Sequence, residues 1–247
     1  MMNRFYFDTE YSNGNYYLGD IFEIAVLSEK SGYIFHSYIK IPQPLSPFIM
    51  QFCHVTRKKL DMLSLPFNQV MRELIDFIDQ ESTTTSDEAA AIIIIGHGAL
   101  LTDFPLLIAN CIKNSFDYTP FTKYVFVDSM IALKSKGYTN PGLDTFNDTM
   151  EKRHSAIQDV KLLRNVVNKL LVSDISQLQN TMTDILRFLH KKLPITFAEL
   201  YNLSSLSQSL TSFESTLYEI MRMRGGRKTS LNERQVCNIA RYYYKYR

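Results

Sequence analysis

The first forty residues alternate between short apolar segments and turn residues. Residues 4–8, 20–28 and 33–40 are rich in Phe, Tyr, Ile and Val, which favour strands, and polar residues with Gly lie between them. Strands this close along the chain pair antiparallel, because a parallel pair needs a crossover of a dozen or more residues. The start of the chain therefore predicts a three-stranded antiparallel meander.

Beyond a run of prolines the pattern changes to helices that alternate with strands. Apolar residues three or four apart predict a helix over 66–80, and a continuous apolar run predicts a fully buried strand over 91–95. A helix over 102–113, capped by Thr102, and a strand over 124–127 follow, and the rest favours helices. This order predicts an α/β fold: a mixed sheet of meander and parallel strands flanked by helices, with a helical C-terminal extension.

Charge is distributed unevenly along the 247 residues. The chain is 45% hydrophobic and 21% charged with a net charge of +2, which is ordinary for a folded globular protein. Residues 214–247 contain eight Lys or Arg and three Asp or Glu, whereas the first 213 residues contain 19 basic and 22 acidic side chains. A basic tail on a mildly acidic body favours a polyanionic partner.

The cysteines and the lengths of the apolar runs argue against two classes of protein. Three cysteines lie far apart without a CxxC pair, which predicts reduced thiols rather than a disulfide framework or a cysteine zinc site. No apolar run approaches the ~18 residues of a membrane helix, and the N-terminus lacks the pattern of a signal peptide. We therefore expect an intracellular protein with no membrane partner, without distinguishing cytoplasm from nucleus.

Two carboxylates separated by one residue end the first predicted strand. Asp8 and Glu10 point the same way because strand side chains alternate, and two anions this close favour a divalent cation between them. Asp103 follows a buried strand at the start of a predicted helix, and His154 and Asp159 begin another helix. Each acid alone could instead cap a helix or pair with Lys or Arg.

With these residues in this order, the sequence resembles the DEDDh 3′–5′ exonucleases, a branch of the RNase H-like fold. Its four acids match those of the family in order, and His154, five positions before Asp159, matches the family's histidine. The strings Asp103–Leu107 and Val127–Lys134 are most similar to the three-prime repair (TREX) branch.

The resemblance implies a metal-dependent 3′–5′ exonuclease that releases nucleoside monophosphates from single-stranded or frayed DNA ends, with DNA favoured over RNA. Two Mg²⁺ or Mn²⁺ ions would suit the hard carboxylate oxygens. Asp8 would bridge the ions, and Asp103 would support the second ion. Glu10 and Asp159 would complete the site near the attacking water, and His154 would accept the proton of that water.

The resemblance also suggests a domain boundary and contacts with the substrate. We expect an exonuclease core over residues 1–172 and a helical, basic C-terminal extension over 173–247. In the core, Thr9, Tyr11 and His54 would contact the terminal nucleotide, with Tyr11 stacking on its base. Tyr11 stands where the family has a small or hydroxyl residue, and His54 replaces a common glycine.

Basic residues around two glycines in the extension would attract nucleic-acid phosphates regardless of sequence. These residues are Arg222, Arg224, Arg227 and Lys228. A solvated charged face without nucleic-acid contact is an equally supported alternative for this segment.

Other functions remain open. The protein could be an exoribonuclease, in which the nucleotide pocket would accept the 2′-hydroxyl group of RNA. In a polymerase proofreading subunit, the extension would dock a polymerase or another replication partner. Related repair exonucleases form homodimers through a sheet edge. A catalytically inactive module would bind nucleic-acid ends without cutting them.

Overall fold

The computed structural model describes residues 3–82, 91–146, 154–171, 178–225 and 233–245, and six strands in these residues form one sheet. The strands are β1 (Asn3–Tyr11), β2 (Ile21–Ser28), β3 (Ile34–Ile39), β4 (Ser64–Leu65), β5 (Ile92–Gly96) and β6 (Tyr124–Asp128). The helices in the described residues are α1 (Pro47–Phe52), α2 (Arg57–Leu63), α3 (Phe67–Ser82), α4 (Asp103–Lys113), α5 (Ser129–Ser135), α6 (Ala156–Leu170), α7 (Met182–Lys192), α8 (Phe197–Leu206), α9 (Leu210–Gly225) and α10 (Glu233–Lys245).

The sheet is mixed, with the strand order β4-β3-β2-β1-β5-β6. β1, β2 and β3 pair antiparallel, whereas β5 pairs parallel with β1, β6 with β5 and β4 with β3. At the edge of β6, the backbone of Phe126 exchanges two hydrogen bonds with that of Asn180. The predicted meander followed by parallel strands is confirmed.

Two short helices and β4 lie where the sequence analysis predicts only a break at the prolines. Ser46 and Thr56 accept hydrogen bonds from the backbone N–H groups of Ile49 and Lys59, which caps α1 and α2. Pro47 occupies the first turn of α1, where a missing N–H is not needed. This proline therefore starts a helix.

The residues of β1 alternate between the two faces of the sheet. The ring of Phe7 contacts Phe104 of α4, with 5.6 Å between the ring centroids, whereas Tyr6 lies in a core shared with α6. Because side chains two residues apart share a face, Asp8 and Glu10 face α6 and Thr9 faces α4. The core on the α6 face includes Tyr6, Ala25, Leu27, Ile93, Ile95, Val127, Val160, Leu163 and Val167.

The chain divides into two compact units. The first comprises Met1–Gly14 and Gly19–Ile185, and the second comprises Asn15–Leu18 and Leu186–Arg247. The sequence analysis does not predict that Asn15–Leu18, from the connection between β1 and β2, belongs with the C-terminal unit. The predicted boundary after residue 172 falls in the segment 172–177, which lies outside the described residues, so it stays a prediction.

The second unit is helical, as predicted. The hydroxyl of Tyr17 donates to the carbonyl of Ile195, and the hydroxyl of Tyr243 donates to the carbonyl of Tyr17. Thr196 and Glu199 form a capping box at the start of α8. No helix in the described part of the chain is long and apolar enough to cross a membrane.

Candidate active site

Three carboxylates come together on the α6 face of the sheet. Asp8 and Glu10 reach this face from β1, and Asp159 lies in the first turn of α6, which packs across β1 and β2. One oxygen of each carboxylate lies within 4.8 Å of the other two. Oxygens at this spacing can ligate a shared cation.

Burial and repulsion between carboxylates raise the pKa values of Asp8 and Glu10. The pKa of Asp8 is raised well above its ordinary value, first by burial and then by the negative charges of Asp103, Asp159 and Glu10. Burial raises the pKa of Glu10 to about 8, although a hydrogen bond from the Cys53 thiol, 3.2 Å from Oε2, favours its charged form. A divalent cation would relieve this repulsion, so the charge and the oxygen donors fit Mg²⁺ or Mn²⁺.

The raised pKa of Glu10 predicts that the metal-free protein loses stability as the pH rises. The folded state binds this proton more tightly than the unfolded chain, so the stabilisation is complete below the ordinary pKa of 4.5. It is lost as the pH rises through the folded pKa of about 8. We therefore expect the melting temperature in EDTA to fall between about pH 5 and pH 8, and Mg²⁺ to reverse most of the fall.

Scanning fluorimetry across this pH range, in EDTA and in Mg²⁺, measures both effects. Glu10→Gln is the matched control, because the difference between wild type and this variant isolates the contribution of the one carboxyl group. The expectation is contradicted if the difference in melting temperature between wild type and Glu10→Gln is constant over this range. It is also contradicted if wild type becomes the more stable of the two as the pH rises.

Asp103 lies beside the three acids and is held by a different set of contacts. Its Oδ1 accepts hydrogen bonds from the backbone N–H and the hydroxyl of Thr9, at 3.1 and 2.5 Å. Its Oδ2 accepts from the hydroxyl of Thr102 at 2.7 Å. Because Thr9 faces α4, Asp103 is fixed to β1 from the face opposite to Asp8.

These contacts change the interpretation of two threonines. Thr102 occupies the N-cap position of α4, but its hydroxyl donates to Asp103 and to the carbonyl of Gly98, so its predicted capping hydrogen bond is wrong. The backbone of Thr102, with φ of −132° and ψ of −85°, is not in the extended conformation typical of a capping residue, and its hydroxyl accepts no hydrogen bond from the first turn of α4. Thr9 is buried and bound to Asp103, and its predicted contact with substrate stays a prediction.

His154 lies in a row of stacked rings directly before α6. Its imidazole stacks on Phe52, with 3.8 Å between centroids and 27° between planes, and Phe52 stacks on Phe48. The side chains of Phe48 and Phe52 are 69% and 43% exposed. The sequence analysis missed both phenylalanines because it did not predict α1, although Ser46 and Pro47 are the start signal of a helix.

The other predicted contacts of the terminal nucleotide lie close to this row. Tyr11 ends β1 after an irregularity in the pairing with β2, and it is half-buried. His54 is exposed and has a left-handed backbone with φ of 51°, the region that favours the glycine usual in the resembling family. A contact of either residue with substrate stays a prediction.

Two of the four predicted phosphate-binding cations are described, and both are in ion pairs. Arg222 pairs with Glu219 and Arg224 pairs with Glu199, all on exposed side chains. Exposed pairs of this kind contribute only about 0–1 kcal/mol, so they leave the arginines able to exchange partners. The other two, Arg227 and Lys228, lie outside the described residues.

Two further side chains beside the acids were missed as functional candidates. Glu23 on β2 stands directly opposite Glu10 and is 1% exposed, and Cys53 donates its thiol proton toward Glu10. Every residue of β2 is buried, so no alternation of apolar and polar positions showed which face Glu23 occupies. The signal that could have identified Glu23 is its position as a charged residue inside an otherwise apolar strand.

Comparisons with known proteins identify the fold. No family model matches the chain, and no curated protein matches it. A 3′-exonuclease that recognises the 3′ end of the histone mRNA stem-loop has 17% identity over 72% of this chain and 84% of its own, with a TM-score of 0.57. The nuclease domain of 3′hExo, a DEDDh family member bound to rAMP, has 19% identity over 73% of this chain and 97% of its own, with a TM-score of 0.56.

A full-length 3′-exonuclease is similar to the same degree, with 17% identity over 73% of this chain and 86% of its own and a TM-score of 0.56. At such identities a structural likeness establishes the fold and leaves activity to be argued from the site. The chain therefore has the RNase H-like fold of DEDDh exonuclease domains, and the predicted fold class is confirmed.

Proposed function

We propose that this protein is a metal-dependent 3′–5′ exonuclease that hydrolyses terminal phosphodiester bonds and releases nucleoside monophosphates. The observation that carries the proposal is the group of Asp8, Glu10 and Asp159, whose oxygens lie within 4.8 Å of one another on one face of the sheet. His154 precedes the helix that supplies Asp159, and a histidine can act as the proton acceptor in general base catalysis.

In this proposal the three acids hold the metal, and Asp103 supports the site from its fixed position beside β1. Two bound Mg²⁺ or Mn²⁺ ions would stabilise charge on the attacking and the leaving oxygen. His154 would take the proton of the attacking water. Stacking on Phe52 fixes the plane of the imidazole, which limits the positions from which its nitrogens can accept that proton.

The nature of the nucleic acid is a separate question. The resemblance to the three-prime repair branch favours DNA 3′ ends, and that preference is part of the proposal. An exoribonuclease is the second candidate, because two of the similar structures concern RNA, one a histone mRNA stem-loop and one bound rAMP. A homodimer and a polymerase or replication partner on the C-terminal extension stay predictions from the resemblance.

A time course with 5′-end-labelled substrates tests the activity. Single-stranded DNA, duplex DNA and RNA of one sequence are each incubated with Mg²⁺, with Mn²⁺ or with EDTA. We expect ladders that shorten from the 3′ end in either metal and intact substrate in EDTA, with circular single-stranded DNA left uncut as the control that cleavage requires an end. Binding to ends without cutting in Mg²⁺ or Mn²⁺ would instead identify an inactive binding module.

The exposed phenylalanines beside His154 predict a stacking platform for the substrate strand. Aromatic side chains in single-strand binders contribute about 1–3 kcal/mol per base on alanine substitution, which corresponds to about fivefold or more in affinity. We therefore expect Phe48→Ala to raise KM for single-stranded substrate about fivefold with kcat unchanged, since Phe48 touches Phe52 rather than the imidazole. Phe48→Tyr should keep the wild-type KM.

Met62→Ala is a matched control, because Met62 is 70% exposed on α2 and its side chain is not aromatic. Initial rates over a range of oligonucleotide concentrations measure both constants. Equal KM values for Phe48→Ala and Met62→Ala would show that the aromatic row does not contact the substrate.

A further inference from the structure

Glu23 is a buried carboxylate that has no role in the proposed function. It stands opposite Glu10 in the pairing of β1 with β2, and its side chain is 1% exposed. It is not one of the three acids whose oxygens lie within 4.8 Å of one another. A buried charge next to other negative charges is costly unless specific partners hold it.

The partners of Glu23 come from two other elements. Its Oε1 lies 2.9 Å from His36 Nε2 on β3 and accepts a hydrogen bond from the hydroxyl of Ser155 at 3.2 Å. His36 is paired with Ala25 across the strands, so it lies diagonally from Glu23 on the same face. Glu23 therefore joins the sheet to the residue that follows His154.

The turn at His154 needs such an anchor. His154 has a left-handed backbone with φ of 63°, a region that residues other than glycine enter at a cost. Ser155 occupies the N-cap position of α6, yet its hydroxyl makes no capping hydrogen bond and binds Glu23 instead. The hydroxyl that at an N-cap would ordinarily accept a hydrogen bond from the helix backbone instead donates one to Glu23, which fixes the turn to β2.

From these contacts we infer that Glu23 is a positioning residue, which acts through Ser155 to hold the imidazole of His154 in place for proton transfer. The inference rests on the proposed function, in which His154 accepts the proton of the attacking water. His36 keeps the Glu23 carboxylate oriented toward Ser155, because both partners share one oxygen. Asp8 and Glu10 reach the site from β1, and the backbone N–H of Asp159 donates to the carbonyl of Ser155 rather than to its hydroxyl, so we expect these ligands to stay in place when the hydroxyl is removed.

Ser155→Ala removes the link and leaves Glu23 with His36. We expect kcat to fall about tenfold, as for loss of a hydrogen bond to a charged group, while KM and the Mg²⁺ concentration for half-maximal rate stay unchanged. Ser155→Thr restores a hydroxyl and should restore most of kcat. Because the Ser155 hydroxyl binds Glu23 and does not cap α6, the alanine variant should keep its fold and lose only a few degrees in melting temperature with this one hydrogen bond.

A double-mutant cycle with His154→Asn, which tolerates the left-handed backbone at this position, identifies the target of the link. If Ser155 acts through His154, the double variant is no slower than His154→Asn alone. A further tenfold loss in the double variant, or a changed Mg²⁺ requirement in Ser155→Ala, would overturn the inference.

Hydrogen exchange without substrate supplies a readout independent of catalysis. The amides of His154 and Ser155 should exchange faster in Ser155→Ala than in wild type, and unchanged exchange would overturn the inference. A wild-type protein that cleaves no substrate refutes the proposed function. A wild-type protein that cleaves, combined with an additive cycle, refutes only the role of Glu23.

Discussion

Asp8→Asn is expected to abolish metal-dependent cleavage and, in the same molecule, to raise the melting temperature of the metal-free protein. Loss of a ligand that stabilises transition-state charge by several kcal/mol lowers the rate by about 10³-fold or more. The gain in stability has the opposite origin. Asp8 is buried among Asp103, Asp159 and Glu10, and the substitution removes one of these repelling charges without changing the volume of the side chain.

Each kcal/mol of repulsion relieved would raise the melting temperature by about 2–4 °C in a domain of this size. The stabilisation should appear in EDTA and should shrink or reverse in Mg²⁺, because wild type alone then gains the bound ion. Thermal melts in both buffers, with calorimetric titration of Mg²⁺, measure the effect. The two opposite changes distinguish a metal ligand from a structural acid, which contributes to stability in EDTA.

Asp128→Asn is the matched control for a structural acid. Asp128 is buried, and its carboxylate accepts hydrogen bonds from the backbone N–H groups of Gly98, Leu100 and Met130. Its replacement should lower the melting temperature, because an amide accepts these bonds less strongly than a carboxylate. If Asp8→Asn also lowers the melting temperature in EDTA, then Asp8 is held by the fold in the same way as Asp128 and is a structural acid rather than a cation ligand.

The sequence predicts the fold well because its signals are local. The meander follows from strand composition and turn residues. The parallel strands follow from apolar runs bounded by helices. Neither signal depends on the order of the strands in the sheet. The shared face of Asp8 and Glu10 also follows from two positions in one strand. Asp159 joins these two acids only if α6 packs across β1, and the apolar stripe of α6 predicts that packing.

Other features of the site depend on partners far away in the chain. Glu23 contacts Ser155, 132 residues later, and Asp103 contacts Thr9, 94 residues earlier, so neither set of contacts has a sequence signature. Sequence reasoning assigns Asp103 to the second ion from the resemblance alone and does not predict that Thr9, on the opposite face of β1 from Asp8, binds its carboxylate. The stacked rings of Phe48, Phe52 and His154 were not predicted, because the capping residue of α1 lies among prolines, which indicate a loop.

His154 should prove essential for the rate and dispensable for the metal site and the fold. Removal of a positioned general base costs about 10²–10⁴-fold, so we expect kcat of His154→Asn to fall within this range with KM and the Mg²⁺ requirement unchanged. Asparagine is preferable to alanine here, because it tolerates the left-handed backbone at this position and so keeps the turn before α6. His190→Ala, at an exposed position of α7, is the control and should cleave at the wild-type rate.

Single-turnover rates with end-labelled oligonucleotide, measured at several Mg²⁺ concentrations, separate the two proposed tasks within the site. For His154→Asn the plateau rate falls and the Mg²⁺ concentration at half-maximum does not move, whereas Glu10→Asp shifts the Mg²⁺ requirement because it shortens a proposed ligand. Imidazole added to His154→Ala should recover part of the rate, since a free base can occupy the vacated space. A His154→Asn protein that digests 3′ ends as fast as wild type would remove the histidine from the mechanism while leaving the carboxylate site intact.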